Sequence, residues 1–299
     1  MPITSPGPDY IGIGAMKAAS GWIFRCIELH PEVSDNSAKE LCFFNKSYNY
    51  EKGITYYHSI FKQHPKNKIK GEFTPSYMLS PEVASLIHKN LPDVKLIACL
   101  RNPADRAYSD YRYNIQEHGR FEIYKDFEDT IKNDRDFVER GFYYKQLKTY
   151  FNLFPRENIL TVFYEDLKSK PVEFIQNIYK FLGLKDLDFV PSLVNRKRSI
   201  TGAYIIKTKI PLLNSMLYYF NLWLKEESRI NKFIHRRGLE KYYEKIQRFN
   251  KKEITGKNVK VFSIPPLKQN TRDLLLNQIY REDIQNLEKL LEKDLSFWK

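Results

Sequence analysis

Residues 11–22 begin as an apolar run, Ile11-Gly12-Ile13, and pass through Gly14-Ala15-Met16-Lys17-Ala18-Ala19 into Ser20-Gly21-Trp22, where a helical pattern starts. Small residues let a backbone approach an anion closely, and a helix N-terminus adds unpaired N–H groups and the positive end of a dipole. The backbone of Ala18, Ala19, Ser20, Gly21 and Trp22, with the Lys17 ammonium as a point charge and the Ser20 hydroxyl as a donor, therefore suits a phosphate. The loop has the outline of a Walker A sequence without its Gly-Lys-Ser/Thr ending. Taken alone, it reads equally well as an ordinary tight strand-to-helix turn.

A second block narrows the choice. Arg101-Asn102-Pro103-Ala104-Asp105-Arg106-Ala107-Tyr108-Ser109 follows an apolar run and opens a helix, with Asn102 as cap and Pro103 in the first turn. Arg101 then falls at the carboxyl end of a strand, where α/β proteins bind ligands. Ser109 lies about two turns into the helix, so the two can grip one phosphate from two sides. For Arg106 an ion pair with Asp105, Asp110 or another carboxylate is the alternative. Two carboxylates complete the set of reactive groups. Glu40 precedes the apolar patch Leu41-Cys42-Phe43-Phe44, which would desolvate it and raise its pKa towards that of a useful base, or else it is a solvated partner of Lys39. Glu72, near another strand end, either orients a substrate or is a buried partner for a loop N–H. The six histidines are scattered and read as surface or packing residues. No cluster has metal-ligand spacing, so no metal is expected.

The elements that must hold these groups follow from periodicity. Four short β-favouring runs, at 10–13, 68–73, 94–100 and 158–164, alternate with helical patterns at 20–29, from 103, at 143–154 and at 171–182. Near-continuous apolar strands between helices imply an α/β fold, a mostly parallel sheet with helices on both faces. Residues 1–194 form this core in one domain of 1–299, while 195–299 read as a helical, basic region facing the acceptor. Within it, 210–224 is apolar but too short to span a bilayer. It packs on the sheet or over the cleft, or, beside Lys232, His235, Arg236 and Arg237, lies on a membrane surface. Residues 270–298 read as one closing helix.

The chain carries a net charge of +13, which calls for an anionic partner without naming it: a phosphate-bearing cofactor, an acidic glycan, nucleic acid or a membrane surface. Three cysteines, Cys26, Cys42 and Cys99, are too few and too apolar in setting for a disulfide framework, and no leader or anchor pattern opens the sequence. Both observations point to the cytoplasm.

Taken together, Ile13-Gly14-Ala15-Met16-Lys17, Lys39-Glu40-Leu41-Cys42-Phe43-Phe44, Gly71-Glu72-Phe73-Thr74-Pro75-Ser76-Tyr77, the block 101–111 and Leu295-Ser296-Phe297-Trp298 form a specific set. On it the chain resembles the sulfotransferases that use 3′-phosphoadenosine 5′-phosphosulfate, in the branch of the heparan sulfate N-sulfotransferase domain and its bacterial relatives. The resemblance implies a P-loop-like fold, a lysine loop that holds the 5′-phosphosulfate, and Arg101 and Ser109 on the 3′-phosphate. It also implies Glu40 as the base, Lys17 at the bridging oxygen, and Arg196, Lys197 and Arg198 on a loop closing over the cofactor. The acceptor would be a hydroxyl or amine of a carbohydrate or glycolipid, not nucleic acid. Ala19, Gly21 and Phe73 depart from the residues usual in the family, namely Gly, Thr and, in the N-sulfotransferase branch, Lys. Two rivals differ in their needs. A P-loop kinase requires a strand ending in a metal-binding Asp, where this chain has Arg101. A basic glycan- or nucleic-acid-binding protein would keep the fold without catalysis.

Overall fold

The apolar runs assemble as their composition requires. In the computed structural model, which describes residues 7–35, 39–45, 50–65, 67–118, 126–194 and 264–298 with short pieces at 205–208, 213, 216, 245–246, 249 and 251–254, they form one parallel sheet. Its strands are β1 (Tyr10–Gly14), β2 (Gly71–Phe73), β3 (Lys95–Leu100) and β4 (Ile159–Phe163), in the order β2-β1-β3-β4. Tyr10 pairs with Gly71 on one side and Lys95 on the other, and Leu96 pairs with Ile159. The two inner strands are buried almost end to end, as expected for a sheet covered on both faces.

The chain leaves β1 towards β2, then returns past β1 to form β3. The loops after β1 and β3 thus diverge at a topological switch point, the place in an open α/β sheet where ligands settle beyond the strand ends. Those two loops carry Lys17 and Arg101.

Helices α1 (Ser20–Glu28), α2 (Gly53–Lys62) and α3 (Pro81–Asn90) connect the first strands. Helix α4 (Pro103–His118) follows β3, with Asn102 Oδ1 accepting from the N–H groups of Ala104 and Asp105 at 3.0 and 3.1 Å. Helices α5 (Phe127–Asn133), α6 (Asp136–Glu139) and α7 (Tyr143–Leu153) precede β4. After it come α8 (Tyr164–Ser169) and α9 (Pro171–Leu182), the latter ended by Gly183 at φ 80°, a left-handed cap that glycine adopts without strain.

The terminal segment departs from the single helix expected. Helix α10 (Gln269–Leu274) runs into a π-helical turn at Leu275–Ile279, and α11 (Arg281–Leu291) restarts beyond Tyr280. The wide turn aims Tyr280 inward. Its ring is fully buried and its hydroxyl lies 2.6 Å from where a Cβ on Gly141 would stand, so only glycine at 141 admits it.

Contacts divide the chain into two units. The first comprises 1–106, 139–196 and 272–299 and contains the parallel sheet; the second comprises 107–138 and 197–271. In the second, the rings of Tyr108 and Tyr111 lie 5.2 and 5.4 Å from Phe127. Lys268 and Thr271 both hold Glu128. An antiparallel pair, β5 (Ile205–Thr208) with β6 (Lys251–Ile254), appears where the sequence suggested only helix. Apart from Leu213 and Met216, the stretch 210–224 lies outside the described residues, as do Lys232, His235, Arg236 and Arg237. Among the described residues no helix is long and apolar enough to cross a membrane.

Candidate functional site

The loop after β1 is built around two left-handed residues. Lys17 and Ala19 adopt φ of 66° and 63°, a conformation that costs a non-glycine residue roughly 1–2 kcal/mol. Ala15 N–H, donating to the Cys99 carbonyl at 2.8 Å, ties the start of the loop to β3. At its end the Ala19 carbonyl accepts from both Trp22 and Ile23, at 2.9 and 3.0 Å. Helix α1 therefore begins abruptly at Ser20, with no side-chain cap and no acidic residue in its first turn. The N–H groups of Ser20 and Gly21 have no intrahelical acceptor, and the positive end of the helix faces the same way. Lys17, Ala19, Ser20 and Gly21 are partly exposed, while Ala18 is buried, so its contribution to the loop is its backbone. Trp22 packs at 6.3 Å from Phe174 and steadies the first turn.

Arg101 closes this loop from the neighbouring strand. Its Nη1 donates to the Lys17 carbonyl at 3.1 Å and its guanidinium lies 4.7 Å over the Tyr164 ring. Nε is buried without a partner among the described residues. The backbone around it is fixed on several sides. The Arg101 carbonyl accepts from Tyr143 Oη at 2.9 Å, Asn102 N–H donates to Glu165 Oε1 at 3.0 Å, and Asn102 Nδ2 donates to the Trp298 carbonyl at 2.6 Å. Sequence reasoning singled out Asn102 as a cap but missed Tyr143, Tyr164 and Glu165. Their signal was topological: Tyr164 and Glu165 directly follow β4, whose end adjoins that of β3.

Arg106 proves structural. It is fully buried beside the phenols of Tyr143 and Tyr280, whose pKa values are pushed up by burial, and Asp105 instead holds Arg272. Ser109 is half-buried on α4, in the part of that helix that belongs to the second unit.

Glu40 is brought to the loop, but not into the desolvated setting expected. Its side chain is 51% exposed, its Oε1 is held by Lys39 Nζ at 2.6 Å, and its backbone N–H donates to the Phe73 carbonyl at 3.2 Å from a left-handed φ of 63°. The apolar patch after it turns away. Phe43 and Phe44 are buried against Tyr57, with ring centroids at 4.5 and 5.1 Å.

Below them, fully buried Glu72 accepts from Tyr57 Oη at 2.6 Å, Thr74 Oγ1 at 2.7 Å and Tyr77 Oη at 3.1 Å. Burial raises its pKa, against the pull of those donors and of the Leu41 N–H. The same hydroxyls reach the patch: Cys42 N–H donates to Thr74 Oγ1 and Phe44 N–H to Tyr77 Oη. Glu72 is thus the buried structural carboxylate of the two alternatives, and it anchors the segment that presents Glu40.

Phe73 is a core residue. It is fully buried, and its ring stands 2.2 Å from where a Cβ on Gly12 would be. His30 is buried too, bonded to the Asp186 carbonyl and accepting from Glu32 N–H. Arg196, Lys197 and Arg198 lie outside the described residues. Among the described residues no group of three or more His, Cys, Asp or Glu could hold a metal ion, and the three cysteines form no disulfide.

The profile of the family described as "Sulfotransferase domain" matches residues 8–196. The chain is 25% identical over 271 residues to the membrane-associated sulfotransferase kil1 of Dictyostelium discoideum, covering 61% of this chain and 57% of that protein. It is 30% identical over 183 residues to human heparan sulfate glucosamine 3-O-sulfotransferase 6, covering 60% and 53%. It thus spans about half the length of these curated relatives. The crystal structure of a sulfotransferase from Alicyclobacillus acidocaldarius shares the fold, with a TM-score of 0.65 at 19% identity over 97% of this chain and 98% of that one.

Proposed function

Because the chain belongs to the sulfotransferase family, we propose that it moves a sulfuryl group from 3′-phosphoadenosine 5′-phosphosulfate to a hydroxyl or amine of a carbohydrate or glycolipid. The observation that carries this reading is the meeting of the Lys17 loop with Arg101 at the uncapped start of α1. A cofactor with phosphates at both ends needs two anion sites. The α1 terminus with Lys17 supplies one, and the Arg101 guanidinium, with Ser109, is assigned to the other.

When bound, the donor supplies an activated sulfur–oxygen bond with phosphate as the leaving group. The chain's part is to align it, to receive a proton and to steady charge. The acceptor oxygen or nitrogen forms a bond to sulfur, the bond from sulfur to the bridging oxygen breaks, and that oxygen departs with the electron pair as the 5′-phosphate. Glu40 takes the acceptor's proton. Lys17 and the N–H groups of Ser20 and Gly21 face the oxygen that gains charge.

The names of the heparan sulfate relatives favour a hydroxyl of a glycan. Arg196, Lys197 and Arg198 are assigned to cofactor closure, and 195–299, with the basic cluster of 210–237, to the acceptor side. The basic cluster there, together with the name of the Dictyostelium relative, supports contact with a membrane surface. Cytoplasmic residence fits three cysteines without a disulfide. A second reading, a glycan binder without turnover, draws on Gly21, which removes a loop hydroxyl usual in the family, and on the departures at Ala19 and Phe73.

Incubation with radiolabelled donor and a panel of glycans, glycolipids and small phenols tests the proposal. Label should pass to a glycan or glycolipid. Uptake of adenosine 3′,5′-bisphosphate without transfer to any of these would overturn the acceptor class, and no uptake with no transfer would favour the second reading.

A further inference from the structure

Lys39 stands where the proposed reaction gives it no task. Its ammonium is bonded to Glu40 Oε1 at 2.6 Å. It also faces the bare side of Gly21: a Cβ there would lie 3.8 Å from Lys39 Nζ and 3.9 Å from its Cε. Gly21 is the second residue of α1, so the ammonium overlooks the same turn whose N–H groups point out of the helix. No carboxylate occupies that first turn to receive it. Its partner comes from the next residue along the chain, turned towards it by a left-handed backbone.

Three features make this pairing exchangeable. The two side chains are 30% and 51% exposed, and an ion pair so wetted is weak. A lysine ammonium has three donors on a long stem, so small rotations redirect it. And a phosphate or sulfonate at the α1 terminus would offer it several oxygens with a larger charge than one carboxylate. Lys39 is then drawn between two anions, of which only one is always present.

We propose that Lys39 is a donor-binding residue that changes partner. Before the donor arrives its ammonium holds Glu40; once the 5′-phosphosulfate sits at the start of α1, it turns to that anion and frees the Glu40 oxygen for the acceptor's proton. This rests on the donor site and the base assigned above, and it adds an order to them, since the base is released only when there is a sulfuryl group to transfer. The bonds made and broken are those already given. Lys39 takes no proton and stays an ammonium throughout, joining Lys17 against the phosphate oxygens as the sulfur–oxygen bond breaks.

Calorimetric titration of the whole chain with adenosine 3′,5′-bisphosphate provides the test, using Lys39→Met, Lys39→Arg, Glu40→Gln and the Lys39→Met/Glu40→Gln pair. Lys39→Met should bind about tenfold more weakly, and Lys39→Arg should recover most of the loss. Glu40→Gln, which leaves Lys39 uncommitted, should bind severalfold tighter than wild type, yet give no tightening in the Lys39→Met background. Equal tightening in both backgrounds would mean that Glu40 merely repels the anion, and the exchange would be overturned. So would unchanged affinity in Lys39→Met. A wild-type chain that does not take up the bisphosphate would fail earlier, at the donor site itself.

Discussion

Arg101 Nη1 donates to the carbonyl of Lys17 at 3.1 Å, so the residue assigned to one phosphate also braces the loop assigned to the other. One guanidinium thus serves both of the proposed anion sites. Damage to either should be felt at both.

Arg101→Ala removes the brace and the guanidinium charge together. Adenosine 3′,5′-bisphosphate affinity should fall by about 1.5–3 kcal/mol, roughly ten- to a hundredfold. Arg101→Lys restores charge but not the planar fork and should recover only part of it. Ser109→Ala, which deletes one neutral donor, should cost about 1 kcal/mol in the same titration. Wild-type affinity in folded Arg101→Ala would remove the assignment.

Glu40→Gln keeps the size of the side chain but cannot take a proton. Turnover should drop about a hundredfold or more, the scale of a positioned base, while bisphosphate binding is not weakened. Lys17→Ala strips charge from bound donor and transition state alike, so affinity and rate should fall together in that variant. Steady-state kinetics beside titration separates the two patterns. Near-normal turnover in Glu40→Gln would pass the base role to another group.

Glu72 gives a prediction about pH. Burial raises its pKa above the ordinary 4.5, so the folded chain keeps this proton at pH values where the unfolded chain has released it. The contribution to stability is complete below that ordinary value and is lost as pH rises through the raised one. Urea denaturation should therefore show wild type losing ground to Glu72→Gln as pH climbs from about 4 towards neutrality. Glu72→Ala, which leaves three buried hydroxyls short of an acceptor, should cost on the order of 3–5 kcal/mol at any pH in that range. A gap between wild type and Glu72→Gln that widened in the wild type's favour would reverse the sign.

Transfer should proceed in the presence of chelator at an undiminished rate, because the groups proposed to face the leaving oxygen are Lys17 and the N–H donors at the uncapped start of α1. Activity lost to chelator and restored by magnesium would contradict this.

The sheet and the helix boundaries beside its loops were legible in the sequence for local reasons. Parallel strands read as unbroken apolar runs, Asn102-Pro103 marks a helix start, and Gly183 marks an end. What stayed hidden depends on partners distant in the chain. The direction in which Phe43 and Phe44 turn is decided by Tyr57, and the break at Tyr280 by the missing side chain of Gly141. Likewise Glu165 meets Asn102 only because β4 lies beside β3. The pairing of β5 with β6 joins segments with no mutual signal in either one alone.

Gly12 and Phe73 form an interlock between β1 and β2, with the ring in the volume that a side chain at 12 would claim. Each residue forbids change in the other. A substituent at 12 evicts the ring, and a smaller residue at 73 leaves an empty space in the core. For mutational drift or laboratory evolution the two positions are a single locus: single steps lead downhill, and a new cation at 73 becomes reachable only along a path that rebuilds position 12 in the same move.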